Sequence, residues 1–457
     1  MANPRLPYVL LEIVVFFGGR ELPDGTWKDA AGIVIGWSRA RLLSRREAME
    51  AMEPHPFLAD PPQVSSLRMM SPTPAHAQQL GSIRDGDIAS THKGIVVIYA
   101  GFYRPGCSDD PGGGCYLLYD APTNALTAIP PLPDSPRFPT LLHLGRAAVL
   151  VDDSRSADDY ILADIVTNSG LGLPEATIFA WSSLTMKKSG GGEWVKSSIP
   201  RLPLPAHLCG PKHLFQIDLA FSLDSGRICW VDLLQGILFC DRILAPDGPK
   251  LGFIPLPTGY CIDVHHRLRH QMMPLARRSM ACVSGAVKFV ALVGLEDYHC
   301  PPNEVMIKTW VLSPDFKEWK EDSRPLSVEE MWASESFKQM GLPCVVPVSP
   351  VLSLTQDGVM YTILNVIEQV PAQVDEFGIV VVDDDLVPIA NYMIRFDIRR
   401  NKVLSSTKIS QHGELQWLIP NLIATDFTAY LQDHQRAEEA GKVGASAKGK
   451  RKQMEYY

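Results

Sequence analysis

Five times along the chain the same succession of segments returns, and this limits the possible folds more than any other feature. Each copy opens with two short apolar runs around a tight turn. A third run follows, ending in an aromatic residue or an aspartate. A second turn and a last run then close the copy, often on Pro-Leu-Pro. The first copy holds Gly94-Ile-Val-Val-Ile-Tyr99, Tyr116-Leu-Leu-Tyr-Asp120, a turn at Thr123-Asn124 and Ala128-Ile-Pro-Pro-Leu-Pro133. The second holds the run 147–151, Thr177-Ile-Phe-Ala-Trp181, a turn at Gly190–Gly192 and Ser198-Ile-Pro-Arg-Leu-Pro203. The third runs from Leu219 through a turn at Asp224-Ser225-Gly226 to Phe253-Ile-Pro-Leu-Pro257. The fourth folds at Ser284-Gly285 and ends at Glu318-Trp-Lys320. The fifth folds at Gln356-Asp357-Gly358 and ends near Leu404. The runs at 8–17 and 32–37 read as the start of a further unit.

Runs this short, rich in Val, Ile, Tyr and Trp and bounded by Gly, Pro, Asp and Ser, are strand signals. The 37 prolines in 457 residues agree, because proline ends strands and fills loops. Four antiparallel strands per copy, repeated about six times, specify an all-β fold. The expectation is a β-propeller-like arrangement of about six irregular four-stranded blades with few inserted helices. Three segments carry helical spacing. They are 40–52, closed by Pro54; 327–340, opened by the capping-box pattern Ser327-Val-Glu-Glu330; and 426–440, closed by Gly441. Residues 1–440 are expected to form a single domain. Residues 441–457 read as a disordered basic tail carrying Lys448, Lys450, Arg451 and Lys452.

The nine cysteines have no period and no Cys-x-x-Cys pair, and several sit inside apolar runs, as Cys229 and Cys240 do. They read as small buried hydrophobes in a reducing compartment, so the expected location is intracellular, cytoplasmic or nuclear. The apolar stretch 8–17 imitates a signal peptide, but Glu12 interrupts it and it reads as a strand. No run approaches the length of a membrane span. The net charge of -8 argues against a broad nucleic-acid interface.

The middle of the chain resembles a known family. Trp230-Val-Asp-Leu-Leu-Gln-Gly-Ile-Leu-Phe-Cys-Asp241 is similar to the opening of plant domain of unknown function 1618, a family expanded in grasses. Arg278-Ser-Met-Ala-Cys-Val-Ser-Gly285, Thr309-Trp-Val-Leu312 with Trp319, Val328-Glu-Glu-Met-Trp332 and Leu342-Pro-Cys-Val-Val-Pro347 follow in the same order. The resemblance covers a core of about 228–365. It implies a binding platform and no particular chemistry, since the family has no established activity. Read from its own residues, the opening motif is structural. Trp230, Leu233, Ile237 and Phe239 fill a wedge between neighbouring sheets, and Gln235-Gly236 makes the turn.

Chemistry is hard to find in the sequence. No phosphate loop, dinucleotide fingerprint, nucleophile elbow, zinc-protease helix or calcium loop occurs. His207, Cys209 and His213 offer three metal ligands where a structural zinc site needs four. The acidic pairs at 152–153 and 158–159 and the triplet 383–385 lack calcium-loop spacing. Neither metal nor cofactor is expected. The one unusual cluster is His265, His266, Arg267, Arg269, Arg277 and Arg278, between the third and fourth copies. Guanidinium forks suit carboxylate and phosphate, so this segment is the candidate site for an anionic partner, expected as an exposed loop. The functional expectation is a non-enzymatic interaction scaffold whose partner is another protein. The alternative is an enzyme or small-molecule receptor working in the central channel. Charged residues drawn from three or more copies around one pocket would favour that alternative.

Overall fold

The computed structural model describes residues 8–18, 47–71, 85–100, 115–130, 132, 146–151, 159–167, 175–183, 193–209, 215–262, 273–294, 301–370, 373–374, 380–382, 385–409 and 421–431. Almost all of its regular structure is strand. The chain begins with β1 (Val9–Glu12), β2 (Val14–Gly18), β3 (Glu53–Phe57) and β4 (Val64–Met70). The first repeat follows as the meander β5 (Asp85–His92), β6 (Ile95–Ala100), β7 (Cys115–Asp120) and β8 (Ala125–Ala128). The second sheet is β9 (Ala148–Val151), β10 (Tyr160–Thr167), β11 (Ala176–Ser182) and β12 (Val195–Ile199). The third is β13 (Leu219–Ser222), β14 (Arg227–Asp232), β15 (Gly236–Asp241) and β16 (Lys250–Pro255). The fourth is β17 (Arg278–Val283), β18 (Ala286–Val293), β19 (Met306–Leu312) and β20 (Trp319–Glu321), with β21 (Leu326–Ser327) also on β19.

The fifth sheet is β22 (Pro347–Leu352) and β23 (Val359–Val370), then β26 (Asp385–Asp397) and β27 (Lys402–Ile409). Between its halves lies the small hairpin of β24 (Gln373–Val374) and β25 (Val380–Val382). The last strand, β28 (Leu422–Thr425), returns to the first sheet and pairs antiparallel with β1.

That return corrects the expected architecture. The runs at the amino terminus do not start a unit of their own. β1 and β2 both lie parallel to β4, and β2 pairs antiparallel with β5, so one sheet of nine strands forms around the first repeat. The described residues build one nine-stranded sheet, three of four strands, one of five and a two-stranded hairpin. No sheet closes into a barrel or a propeller, and the expectation of about six four-stranded blades is not met. The stretch 32–37 lies outside the described residues.

Within each repeat the strand order follows the sequence, because each strand turns tightly into the next. Ser284 (φ 50°) and Gly285 (φ 81°) form a two-residue turn between β17 and β18 in which both residues take the left-handed backbone that such hairpins need. The strands are apolar on both faces because each sheet is covered on both sides. In β14, Ile228 and Trp230 face the layer shared with the second sheet, while Cys229 and Val231 face the layer shared with the fourth. Side chains alternate across a strand, so one run serves two cores. Trp230 is fully buried, as its sequence context implies.

The recurring Pro-Leu-Pro has a packing role. The Trp194 indole donates to the Pro130 carbonyl at 2.8 Å, and the Trp319 indole donates to the Pro255 carbonyl at 2.8 Å. In both cases a tryptophan at the outer edge of the next sheet caps a carbonyl that the preceding edge strand leaves unpaired. Leu132 and Leu256, each two or one residues on, are buried beneath.

The segment 327–340 is not one helix. It breaks into α2 (Val328–Ala333) and α3 (Glu335–Gln339), which follow the single turn α1 (Pro274–Arg277) in the chain. Ser327 and Glu330 do form the capping box, and Ser334 then takes an extended backbone and caps a second start, accepting from the Phe337 amide. Met331 and Phe337 sit in the apolar layer between the fourth and fifth sheets. Those two sheets are also tied by charge. The Lys288 ammonium contacts Asp322 at 2.8 Å and also Asp357, while Arg399 holds Asp322 at 2.8 Å and Asp357 at 2.9 Å. Among the described residues no helix is long and apolar enough to cross a membrane.

Candidate functional site

The first strands of the repeats lie side by side, and a cavity of about 460 Å³ opens between them. Its wall takes residues from β5, β13, β17, β22 and β28, from the turns that follow β5, β13, β17 and β22, and from Arg146 just before β9. Neighbouring first strands belong to different sheets, so small polar side chains connect them in place of ladder hydrogen bonds. Ser90 Oγ donates to the Ala147 carbonyl at 2.8 Å and accepts from the Val149 amide at 3.0 Å. Ser222 Oγ donates to the Val149 carbonyl at 2.7 Å. His92 Nδ1 accepts from the Val151 amide at 3.1 Å. These bonds satisfy buried backbone groups that would otherwise be costly.

The charged groups collect at two ends. At one end Ile13 accepts from the Ile88 amide at 2.8 Å, and Arg146 Nη1 donates to the Ile88 carbonyl at 2.9 Å. At the other end the first-hairpin turns bring together His92, Lys93, Asp224 and Asp426. Ile88 and His92 are four residues apart on β5, so the two ends are separated by roughly 13 Å.

The second end is arranged for proton handling. Because His92 Nδ1 accepts a backbone N–H, its ring proton sits on Nε2, which faces Asp224 Oδ1 at 3.7 Å. Lys93 Nζ lies 3.9 Å from the same oxygen. Asp426 follows directly after β28. Burial pushes its carboxyl up to about 6, its own backbone amide holds it down, the Asp224 charge pushes it further up and Lys93 draws it back. Asp224 itself is largely exposed. A buried carboxyl that holds its proton more firmly than an ordinary aspartate, beside a histidine and an exposed carboxyl group, is the raw material of acid–base chemistry.

The anionic-partner cluster is divided. His265, His266, Arg267 and Arg269 lie outside the described residues. Arg277 ends α1 and is half-buried. Arg278 is not on a loop: it opens β17, is buried, and donates through Nη1 to the carbonyls of Leu233 at 3.0 Å and Tyr260 at 2.8 Å. Its guanidinium ties the third sheet to the fourth. Of the three candidate zinc ligands, His207 is exposed on a short 3-10 turn and His213 lies outside the described residues. Among the described residues no three His, Cys, Asp or Glu side chains are grouped to hold a metal ion. His92, Lys93, Arg146, Asp224 and Asp426 were not visible as a site in the sequence. The signal that finds them is positional: apart from Arg146 and Asp426, they stand where a first strand gives way to its turn.

The family model described as "Protein of unknown function (DUF1618)" matches residues 230–361, inside the stretch whose motifs carry the resemblance. No curated protein matches the chain. Solved structures that match in shape include enzymes by title. The GH32 β-fructofuranosidase of Bombyx mori is 13% identical, with a TM-score of 0.29, covering 78% of this chain and 66% of that one. The chain therefore spans just under two thirds of that enzyme's length. A family 117 glycoside hydrolase of Zobellia galactanivorans is 11% identical, with a TM-score of 0.28, covering 80% of this chain and 86% of that one. Dihydro-heme d1 dehydrogenase NirN is 11% identical, with a TM-score of 0.31, covering 84% of this chain and 70% of that one. Likenesses this faint decide neither the fold nor the activity.

The cavity does bear on function, and it corrects two expectations. Neither the non-enzymatic scaffold nor the absence of enzymatic activity is kept. Charged side chains from the first and third repeats, from Arg146 just before β9 and from Asp426 just after β28 converge on one concave site. That is the condition under which a central small-molecule site is the better reading.

Proposed function

We propose that the chain binds a small polar molecule in the cavity between the first strands of its sheets. The observation that supports this is the lining itself: a wall of apolar and small hydroxyl side chains from five strands, with a few charged groups placed at its ends. A thermal-shift screen of the full chain against small polar molecules tests it. Compounds that raise the melting temperature should lose their effect in Ser279→Trp, which fills the cavity from β17. If the same compounds act equally on that variant, they bind elsewhere and the reading fails.

A second reading, that the bound molecule is also transformed, is favoured by the His92–Asp224 pair beside Asp426. It expects product formation whose pH profile has a limb near 6 and disappears in Asp426→Asn. Binding with no turnover of any hit would leave the chain a receptor.

We propose further that the whole chain, and not only residues 230–361, belongs to the matched family. The match begins inside β14 and ends inside β23. A unit cut there would lack β13 from the third sheet and β26 and β27 from the fifth, so the matched stretch needs its flanks to fold. The buried free thiols of Cys229 and Cys240 support an intracellular setting.

A further inference from the structure

We infer that the cavity's ligand carries an anionic group, a carboxylate or a phosphate, and that Arg146 receives it. This rests on the reading of the cavity as a small-molecule site and names the chemical class of its ligand. Arg146 is 8% exposed and lines the cavity. An arginine this buried is ordinarily matched by a carboxylate, because an uncompensated buried charge is costly. Here the one hydrogen bond among the described residues is from Nη1 to the Ile88 carbonyl, and no carboxylate of those residues stands within salt-bridge distance. The other guanidinium nitrogens are not among the polar atoms sealed away without a partner, and the side chain lines the cavity.

Asp87 is an acid that feels Arg146: burial raises its carboxyl above the usual aspartate range, and the arginine draws it part of the way back. The two are not within salt-bridge distance. Lys93, at the far end, is the rival for the role. It shares Asp224 with His92 and is already compensated. A guanidinium presents five N–H donors in a fixed fork that matches the two oxygens of a carboxylate or phosphate. The Ile88 carbonyl fixes one arm of that fork and so sets the orientation of the rest.

The test uses the full chain and three probes: malonate, inorganic phosphate and the neutral malonamide. Isothermal titration should give saturable binding of malonate or phosphate, whichever matches the source of the anion, and at least roughly tenfold weaker binding of malonamide. Arg146→Gln should lose that anion by roughly tenfold or more, and Arg146→Lys, which keeps the charge without the fork, should fall between. Lys250→Gln, on the outer strand β16 and away from the cavity lining, should keep it. Circular dichroism confirms that each variant is folded; should Arg146→Gln fail to fold, Arg146→Lys carries the comparison. Equal anion binding by wild type and the Arg146 variants overturns the inference. So does malonamide binding as tightly as malonate, or no binding of either anion. If malonamide binds alone, and Ser279→Trp abolishes it, the inference falls while the small-molecule site stands. If any probe binds Ser279→Trp as it binds wild type, the cavity is not the site and both fall.

Discussion

Replacing Asp426 with asparagine tests the electrostatics of the cavity mouth without removing any packing. The side chain makes no capping hydrogen bond to the short turn that follows it, and asparagine has the same shape. What the substitution removes is an ionisation. Burial is the first cause of the raised carboxyl, and it moves from an ordinary 3.8 to about 6. The folded chain therefore holds this proton more firmly than the unfolded chain. The sign follows: the contribution to stability is fully present below about pH 3.8 and is lost as pH rises through about 6. At about 1.4 kcal/mol for each pH unit of displacement, ionising Asp426 costs the fold about 3 kcal/mol at pH 8, and only a small part of that at pH 4. Asp426→Asn should then gain about 2 kcal/mol on the wild type between pH 4 and pH 8. Glu12, whose burial raises its carboxyl to about 7, contributes equally to both chains and cancels. Urea unfolding followed by tryptophan fluorescence at the two pH values measures the difference. A pH-independent difference, or a variant less stable at pH 8, would refute the reasoning and mean that the carboxylate has a compensating partner.

Trp230→Ala should cost about 3–5 kcal/mol in denaturant unfolding, since the indole is wholly buried between the second and third sheets. Trp230→Phe should cost much less than that, because the indole N–H has no hydrogen-bond partner to lose. Lys288→Met strips the cation from Asp322 and Asp357 and should destabilise by about 1–3 kcal/mol at pH 7. Burial, the largest single cause, would raise the Asp357 carboxyl, but the hydrogen bonds and charges of Lys288 and Arg399 together outweigh it and the net displacement is downward. The penalty should therefore shrink as pH falls below the ordinary aspartate value, where the wild type loses the same contribution. Trp319→Phe keeps the tilted ring contact with Phe289 and removes the bond to Pro255, for a loss of about 0.5–1 kcal/mol by thermal unfolding.

The sequence was most readable where the physics is local. Turn glycines, apolar runs and the closing Pro-Leu-Pro located the strands of the third repeat within one to three residues. β14, for example, ends at Asp232 where the apolar run reaches Leu233. What the sequence did not show was assembly. The run 160–167 was not singled out as β10, although it pairs along its length with β11. The destination of β1 was also hidden: its partner β28 lies at the opposite end of the chain, and nothing in either run specifies the other. Arg278 was misread for a related reason. Its neighbours in sequence are charged, so it read as part of an exposed patch. Its neighbours in space are two carbonyls from the third sheet, and these decide its burial. The break at Ser334 could have been seen, because a second serine three residues before Phe337 repeats the cap signal of Ser327.

The division between scaffold and site explains why the matched segment says so little about activity. Residues 230–361 supply the cavity wall from β17 and β22, including Ser279, Cys282, Val351 and Thr355. They supply none of its charged groups. His92, Lys93 and Arg146 precede the segment, Asp224 lies just before it and Asp426 follows it. The segment holds most of the third sheet, the fourth sheet and the first part of the fifth, and so only one side of the cavity wall. It holds none of the charged side chains that line the rest. Those stand mostly at first-strand ends and first-hairpin turns, positions where an exchange of one residue leaves the strand pairing and the apolar layers untouched. On the proposed reading, exchanging His92, Arg146, Asp224 or Asp426 would alter what the cavity holds without touching a residue of the matched segment. The chemistry of the cavity is carried by the flanks of that segment.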